Sequence, residues 1–341
     1  MPRPTRVIYT DPGGRGWATV ALLADLLAQC LDAELVTTST RPRRDRVRRA
    51  AGQAPRRRGS GTCVVIAPQP AHLGSLLDAT YLLRGYDRVV GWVIDSFLDD
   101  RIPRMAQGRG HYDQLFVTDV ELVETWASRT GTATEWLPFG SNVLDQPPLP
   151  EDRSVDLLRV GRQPESWDDN DRTARAAAEL GLTFSAGPPL ETDARLNQAA
   201  LTAAMRQAKL VLAFTNLVSP DVYTHPTRDY VTGRWTDALA SGAAVAGVPP
   251  RCEAGRRMLW ENGLVRLPST DLDAGLEVVA AAAAAWRPEH AAAIQLQALQ
   301  TLDWRLRFKV LTDSIELSAP RLDDELARLE DRVTALTRRT A

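Results

Sequence analysis

The chain has little cysteine. Three occur in 341 residues, at Cys30, Cys63 and Cys252. They are odd in number, far apart and without a CxxC pair, which excludes a disulfide framework and a zinc site of the usual spacing. Lysine is scarcer: only Lys209 and Lys309 accompany 39 arginines. That imbalance reads as a coding bias, of the kind a high-GC bacterium shows, rather than as chemistry. No apolar run approaches the ~20 residues of a membrane span. The longest alanine run, 280–285, is short and weakly hydrophobic. Neither sign of charge dominates. A formal net charge of -2 does not suggest a general binder of nucleic acid or membranes. The opening MPRPTRVIYT runs straight into a strand pattern with no signal peptide, so the expected location is cytoplasmic.

What is present is ordinary for a soluble globular protein: 44% hydrophobic and 25% charged residues. The length fits two domains at ~100–200 residues each. RVIYT (6–10) has the pattern of a buried strand. DPGGRGW follows, then WATVALLADLLAQCL with apolar residues at helical spacing. Strand, glycine-rich turn and helix open a Rossmann-like unit. Gly13 and Gly14 let the backbone approach a ligand near a helix N-terminus. The order is G-G-x-G rather than G-x-G-x-x-G, and no acidic residue follows at the dinucleotide spacing. NAD is therefore not expected, and a plain tight turn is the competing reading.

Strand and helix patterns then alternate. ELVTTST (34–40), TCVVIAP (62–68), RVVGWVIDSF (88–97), DQLFVTD (113–119) and ATEWLPFGSN (133–142) read as strands or strand and turn. AHLGSLLDATYLLRGYD and VELVETWASRTG read as helices, the second closed by Gly131. Such alternation predicts a mostly parallel sheet with helices on both faces. One segment breaks it: RPRRDRVRRAAGQAPRRRGSG (41–61) holds nine arginines and no hydrophobic period. It is either a solvated loop or a patch for an anionic acceptor or a membrane surface, which leaves peripheral attachment to a membrane open.

DQPPLPEDRS (145–154) has the prolines and charges of a linker. A second alternation follows, through VDLLRVGR (155–162), LTFSAG, KLVLAFT (209–215) and GLVRLP. The expected domains are 1–145, a linker at 146–154, 155–318, and a C-terminal helix over 319–341. In that helix Leu322, Leu326, Leu329, Val333 and Leu336 form a short heptad seam. Packing on the chain's own surface and a homodimer contact both stand.

RDYVTGRWTDALASGAAVAG (228–247) carries the most chemistry. TGRWTDALASGA reads as a helix with Thr232 as N-cap. Arg234 and Asp237 are three apart and share a face near its start. Free backbone N–H groups there favour an anion, and arginine adds a two-pronged grip on phosphate. A carboxylate one turn on can accept hydrogen bonds from both hydroxyls of a ribose. Phosphate beside a diol describes a nucleoside diphosphate; a surface Arg–Asp pair on an amphipathic helix is the bland alternative. VGR, with Gly161 and Arg162, offers a second glycine–arginine pair at the same sheet edge. The loop NLVSPDVYTHPTRDY before the helix, with Arg228 and Tyr230, has the makeup of a binding loop.

With these residues in view, the chain resembles the GT-B fold glycosyltransferases. It looks closest to the group of retaining nucleotide-sugar enzymes and bacterial spore-maturation-type glycosyltransferases. The similarity rests on GG after the first strand, DQLFVTDVELVETW with WLPFGSN, VGR, RDYVTGRWTDALASGAAVAG and DWRLRFKVL (303–311), over roughly residues 5–315. The resemblance implies an α/β GT-B fold: two Rossmann-like doubly wound domains facing a central cleft, with a C-terminal helix. It implies donor binding by Gly13, Gly14, Gly161, Arg162, Arg228, Tyr230, Thr232, Arg234 and Asp237. Asp237 matches the ribose-holding acid, where glutamate is usual. The lysine that retaining relatives carry after VGR is missing here.

The implied activity is sugar transfer from a nucleoside-diphosphate sugar, UDP- or GDP-linked, to an acceptor hydroxyl on a natural product, a cell-surface glycan or a protein. No cofactor and no metal are expected. Asp99–Asp100 and Asp168–Asp169 are the acidic pairs, and each reads as surface. An inverting enzyme needs a base from the first domain. Asp95 at a strand tip and His111 in QGRGHYD are the catalytic candidates, with Asp11 behind them; His72 and His290 read as surface residues. A GT-B nucleotide-sugar epimerase and a non-catalytic binder of nucleotide sugars or polyanions are the alternatives.

Overall fold

The computed structural model describes residues 5–39, 50, 54, 56, 58–77 and 85–340. Most of the arginine-rich segment, 41–49, 51–53, 55 and 57, lies outside them. By its contacts the chain divides into two units. The first is Met1–Phe139 with Arg307–Leu326; the second is Gly140–Leu306 with Ala327–Ala341. The stretch 146–154 belongs to the second unit, where Arg206 donates to the Pro147 carbonyl at 2.9 Å and to that of Pro148.

The first unit runs β1 (Thr5–Asp11), α1 (Ala18–Cys30), β2 (Glu34–Ser39), β3 (Thr62–Ala67), β4 (Arg88–Val93), β5 (Gln114–Val117), α2 (Val123–Thr130) and β6 (Ala133–Trp136). Its six strands are parallel in the order β2-β1-β3-β4-β5-β6. The central strands are continuous apolar runs such as VVIA, because helices cover both faces of a parallel sheet. Val64, Val65, Ile66, Val89, Val90 and Trp92 are wholly buried. Gly131 closes α2 in the left-handed conformation, φ 63°, which glycine adopts at no steric cost. Two expectations are corrected here. Ala71–Leu77, the described start of the expected helix AHLGSLLDATYLLRGYD, forms 3-10 rather than α turns, with Gly74 disfavouring an α-helix; 78–84 lie outside the described residues. Asp99, expected at the surface, is 4% exposed and pairs with Arg129 at 2.9 Å.

The second unit runs β7 (Val155–Arg159), α3 (Asn170–Glu179), β8 (Phe184–Ser185), α4 (Ala194–Gln207), β9 (Ala208–Leu212), α5 (Gly233–Ala240), β10 (Ala244–Gly247), α6 (Glu253–Met258), β11 (Leu264–Arg266), α7 (Leu272–Ala284) and α8 (Pro288–Thr301). Its five parallel strands are ordered β11-β10-β9-β7-β8. Asp169, Asp193 and Asp271 cap α3, α4 and α7 by accepting from backbone N–H groups.

Counted from its own first strand, each sheet has the order 2-1-3-4-5, the first unit adding a sixth strand. Both are therefore doubly wound α/β sheets of the same topology. Two further helices, α9 (Trp304–Ser314) and α10 (Pro320–Thr340), end the chain. Along α10, Leu322, Leu329 and Leu336 of the heptad seam are buried within the chain at 1%, 4% and 7% exposure. Those seam residues are thus covered by the chain itself. Among the described residues no helix is long and apolar enough to cross a membrane.

Candidate functional site

In a doubly wound sheet, ligands bind beyond the strand C-termini where the winding reverses. In the second unit that point lies between β7 and β9. The chain leaves β7 through Val160, Gly161 and Arg162, and leaves β9 into the long stretch that ends at α5.

Arg162 and Arg234 meet here. Gly161 turns at φ +66°, and a Cβ on it would lie 3.7 Å from the Arg234 guanidinium carbon. Arg234 donates to the carbonyls of Arg162 at 2.6 Å and Val160 at 3.4 Å. Arg162 donates through Nε to the Ser219 carbonyl, and to its hydroxyl at 3.2 Å; its guanidinium stands 5.3 Å from the Tyr223 ring centroid. Among the described residues neither arginine pairs with a carboxylate. Burial, and then the like charge of Arg162, pulls the Arg234 guanidinium down to about 10. Arg234 is recessed but still reaches solvent. Nearby, Gln163 Oε1, Asn216 Oδ1 and Thr232 Oγ1 are buried without a hydrogen-bond partner. Two like charges and three unsatisfied polar atoms at one edge are costly in a chain that could have paired them.

Thr232 occupies the N-cap position of α5, but its hydroxyl makes no cap bond. That corrects the capping role expected of it. One turn on, Asp237 already has donors of its own. Ser141 Oγ donates to its Oδ1, and Gln198 Nε2 to its Oδ2 at 3.4 Å. Burial pushes the Asp237 carboxyl up to about 6, and the two donors oppose that rise. Ser141 is itself fixed. Its N–H donates to the Leu302 carbonyl at 2.9 Å, and its carbonyl accepts from Trp304 N at 3.0 Å. Asp303, fully buried, accepts from the backbone N–H groups of Val143, Leu144 and Arg305 at 2.8–3.0 Å. Arg305, 1% exposed, reaches Asn142 at 3.0 Å and Asp145 at 2.8 Å. The FGSN turn and the start of α9 thus form one knot behind Asp237.

The stretch from Asn216 to Thr232 is held by its own polar groups. Asn216 Nδ2 donates to the carbonyls of His225 at 3.1 Å and Arg228 at 2.7 Å. His225 Nδ1 accepts from the N–H groups of Thr227 and Arg228. Thr215 donates to Asp229, which also accepts from Arg251 N at 2.6 Å. Tyr230 is 8% exposed, whereas Val222 and Tyr223 project at 98% and 61%.

The first unit has its own strand C-termini. Asp11 ends β1 and accepts from Gly13 N at 2.8 Å; Gly13 and Gly14 follow at φ +80° and +87°, exposed and with open space about them. Asp95, two residues past β4, is pushed up to about 7 by burial, then by Asp119, with Gln69 opposing. His111 is elsewhere. It is 2% exposed and lies before β5, at the N-terminal edge of the sheet. The two catalytic candidates are therefore not brought together: they lie at opposite edges of the sheet. At that N-terminal edge a polar cavity of about 330 Å³ is lined by Arg58, Arg88, Asp87, Asp113, Gln114 and Ser314, among others. Its charges balance, and Arg56, from the arginine-rich segment, grips Asp113 with both nitrogens at 2.5 and 2.6 Å. Among the described residues no cluster of three His, Cys, Asp or Glu side chains would hold a metal ion.

Sequence reasoning did not single out Ser141, Gln198, Ser219, Tyr223 or Asp119, which reach these edges from other elements. No protein-family model matches the chain, and no curated protein matches it. Solved structures do resemble it, these two among them. One is CalG4, the calicheamicin glycosyltransferase: 14% identical, TM-score 0.41, over 94% of this chain and 100% of that one. The other is a mutant of S. aureus TarM in complex with fondaparinux, alpha-GlcNAc-glycerol and UDP. It is 8% identical with a TM-score of 0.40, over 78% of this chain and 55% of TarM. At these values neither likeness bears on the chemistry.

Proposed function

We propose that the chain is a GT-B glycosyltransferase that moves a sugar from a UDP- or GDP-linked donor to an acceptor hydroxyl. The observation that carries this reading is the unpaired couple Arg162–Arg234 at the winding reversal of the second sheet. Two guanidinium groups without a carboxylate suit a diphosphate, which satisfies both and removes their repulsion. The N-terminus of α5 adds its dipole where the leaving group gains charge. Asp237, recessed one turn on, suits a ribose diol. The bond from the anomeric carbon to the diphosphate oxygen breaks as the acceptor oxygen attacks. An inverting displacement needs a base for the acceptor's proton, and Asp95, at the C-terminal edge of the first sheet, is the candidate for that role.

The test combines binding with turnover. UDP, GDP, dTDP, CMP and ADP are screened by thermal shift, with and without magnesium, on wild type and Asp237→Ala. Donor sugars carrying the best base are then assayed for hydrolysis and transfer. The expected result is stabilisation by one nucleoside diphosphate, lost or sharply reduced in the variant, and slow donor hydrolysis by wild type alone. Absence of stabilisation by every nucleotide refutes the reading.

A further inference from the structure

Helices α4 and α5 run in the same direction, because each returns from the C-terminal edge of the parallel second sheet to its N-terminal edge. They are tied together at both ends. At their C-terminal ends the tie is Arg153, 9% exposed. It donates to the Ser241 carbonyl just past α5 at 2.8 Å, to the Met205 carbonyl in the last turn of α4 at 3.5 Å, and to the Ala208 carbonyl just past it. A cation there meets the negative ends of both helix dipoles. The N-terminal end of α4 is fixed as well. Asp193 caps it by accepting from Arg195 N at 2.8 Å and Leu196 N at 2.9 Å, and Asn197 Oδ1 accepts from Glu191 N at 3.2 Å.

Near that fixed end the second tie is Gln198. Gln198 and Asp237 are each the fifth residue of their helix, and Gln198 Nε2 donates to Asp237 Oδ2 at 3.4 Å. Ser141 Oγ donates to the other oxygen, Oδ1. One donor on each oxygen, from opposite flanks, sets the plane of the carboxylate. A single donor would leave it free to turn about its last torsion, which is broad for aspartate. Each carboxylate oxygen can accept two hydrogen bonds. One acceptor position therefore remains on Oδ1 and one on Oδ2, side by side. At 3.4 Å the Gln198 bond is long, so it orients Oδ2 without saturating it. Asp237 and Gln198 are both only part-buried, so a ligand can reach them.

We propose that Gln198 is a positioning residue that makes this site specific for a ribonucleotide. It holds the Asp237 carboxylate in the plane in which both oxygens accept from the two neighbouring hydroxyls of a ribose. A nucleotide lacking one hydroxyl leaves one Asp237 oxygen without its partner in a part-buried site. Sites built around a ligand hydroxyl reject the analogue without it for that reason. The inference rests on the glycosyltransferase reading and deepens it by naming the pentose of the donor.

The test is calorimetric titration of the full chain with UDP and GDP. The tighter of the two is then compared with its 2′-deoxy and 3′-deoxy analogues and with inorganic pyrophosphate. Wild type should prefer the ribonucleotide to at least one deoxy analogue by about tenfold or more, the worth of a hydrogen bond to a charged group. In Gln198→Ala, a change to the best helix former, that preference should narrow to about threefold or less, mainly through weaker binding of the ribonucleotide. Gln198→Glu has the same length but cannot donate when ionised, and should do the same or more. Pyrophosphate, which meets only the arginine pair, should bind all three proteins alike. A preference that both variants keep, or a ribonucleotide that binds Gln198→Ala more tightly than wild type, overturns the proposal and leaves the glycosyltransferase reading standing. So does a loss of pyrophosphate binding as large as that of the nucleotide, which would mean a collapsed site. If neither UDP nor GDP binds wild type, the reading and the proposal fall together.

Discussion

Asp95 and Asp237 each sit where the fold favours the protonated form, Asp95 up to about 7 and Asp237 up to about 6. An unfolded aspartate titrates at ~3.9. Between that value and the raised one, the folded state binds protons the unfolded chain has released. Stability contributed by these groups is therefore present at low pH and lost as pH rises through the window. Asp95→Asn, which removes the charge and its repulsion with Asp119, should stabilise the protein at pH 8 by about 2 kcal/mol, half of what so large a shift carries, since the group keeps some contact with solvent. At pH 4 the gain should vanish. Urea unfolding at the two pH values measures it, and equal or lower stability of the variant at pH 8 contradicts the account. A residue that destabilises the fold when charged is what a site rather than a scaffold shows.

The elements around the site carry more of its geometry than the site residues do. β9 and β10 approach so closely that a Cβ on Gly247 would lie 1.6 Å from the Ala213 carbonyl oxygen. Gly247→Ala should therefore cost about 3 kcal/mol or more and disturb the strand edge that leads to Asn216. The knot of Asp303 and Arg305 is the second such device. Arg305→Ala leaves a fully buried carboxylate without its charge partner, and should cost about 3–5 kcal/mol by chemical denaturation. It should also weaken nucleotide binding, because Ser141 is held to Asp237 through that knot. A variant with unchanged stability removes the knot from the account.

Strand and helix patterns were readable at this scale because apolar runs and glycine turns mark them locally. The VGR turn and the helix from Gly233 were readable for the same reason, so Arg162, Arg234 and Asp237 could be singled out. Ser141 and Gln198 could not. They reach Asp237 from 96 and 39 residues away, and no local pattern encodes that. The heptad seam shows a different limit, since a periodic apolar stripe says that a helix face is covered but not by what.

For the whole molecule, two sheets wound the same way place unlike chemistry at like positions: acids at strand ends in the first unit, arginines in the second. The chain's last helix buries its seam internally, so Leu329→Glu should lower Tm by several degrees and leave the association state, measured by sedimentation, where it is. A variant that folds normally but changes association contradicts that placement.

The central claim is that Arg162 and Arg234 form a site for a diphosphate. Calorimetric titration of one nucleoside diphosphate against its nucleoside, on wild type and on Arg234→Leu, tests it most directly. The account predicts micromolar binding of the diphosphate, at least tenfold weaker binding of the nucleoside, and a loss of ~2 kcal/mol or more for the diphosphate in the variant. Equal affinities for diphosphate and nucleoside, or a variant that binds as well as wild type, would contradict it.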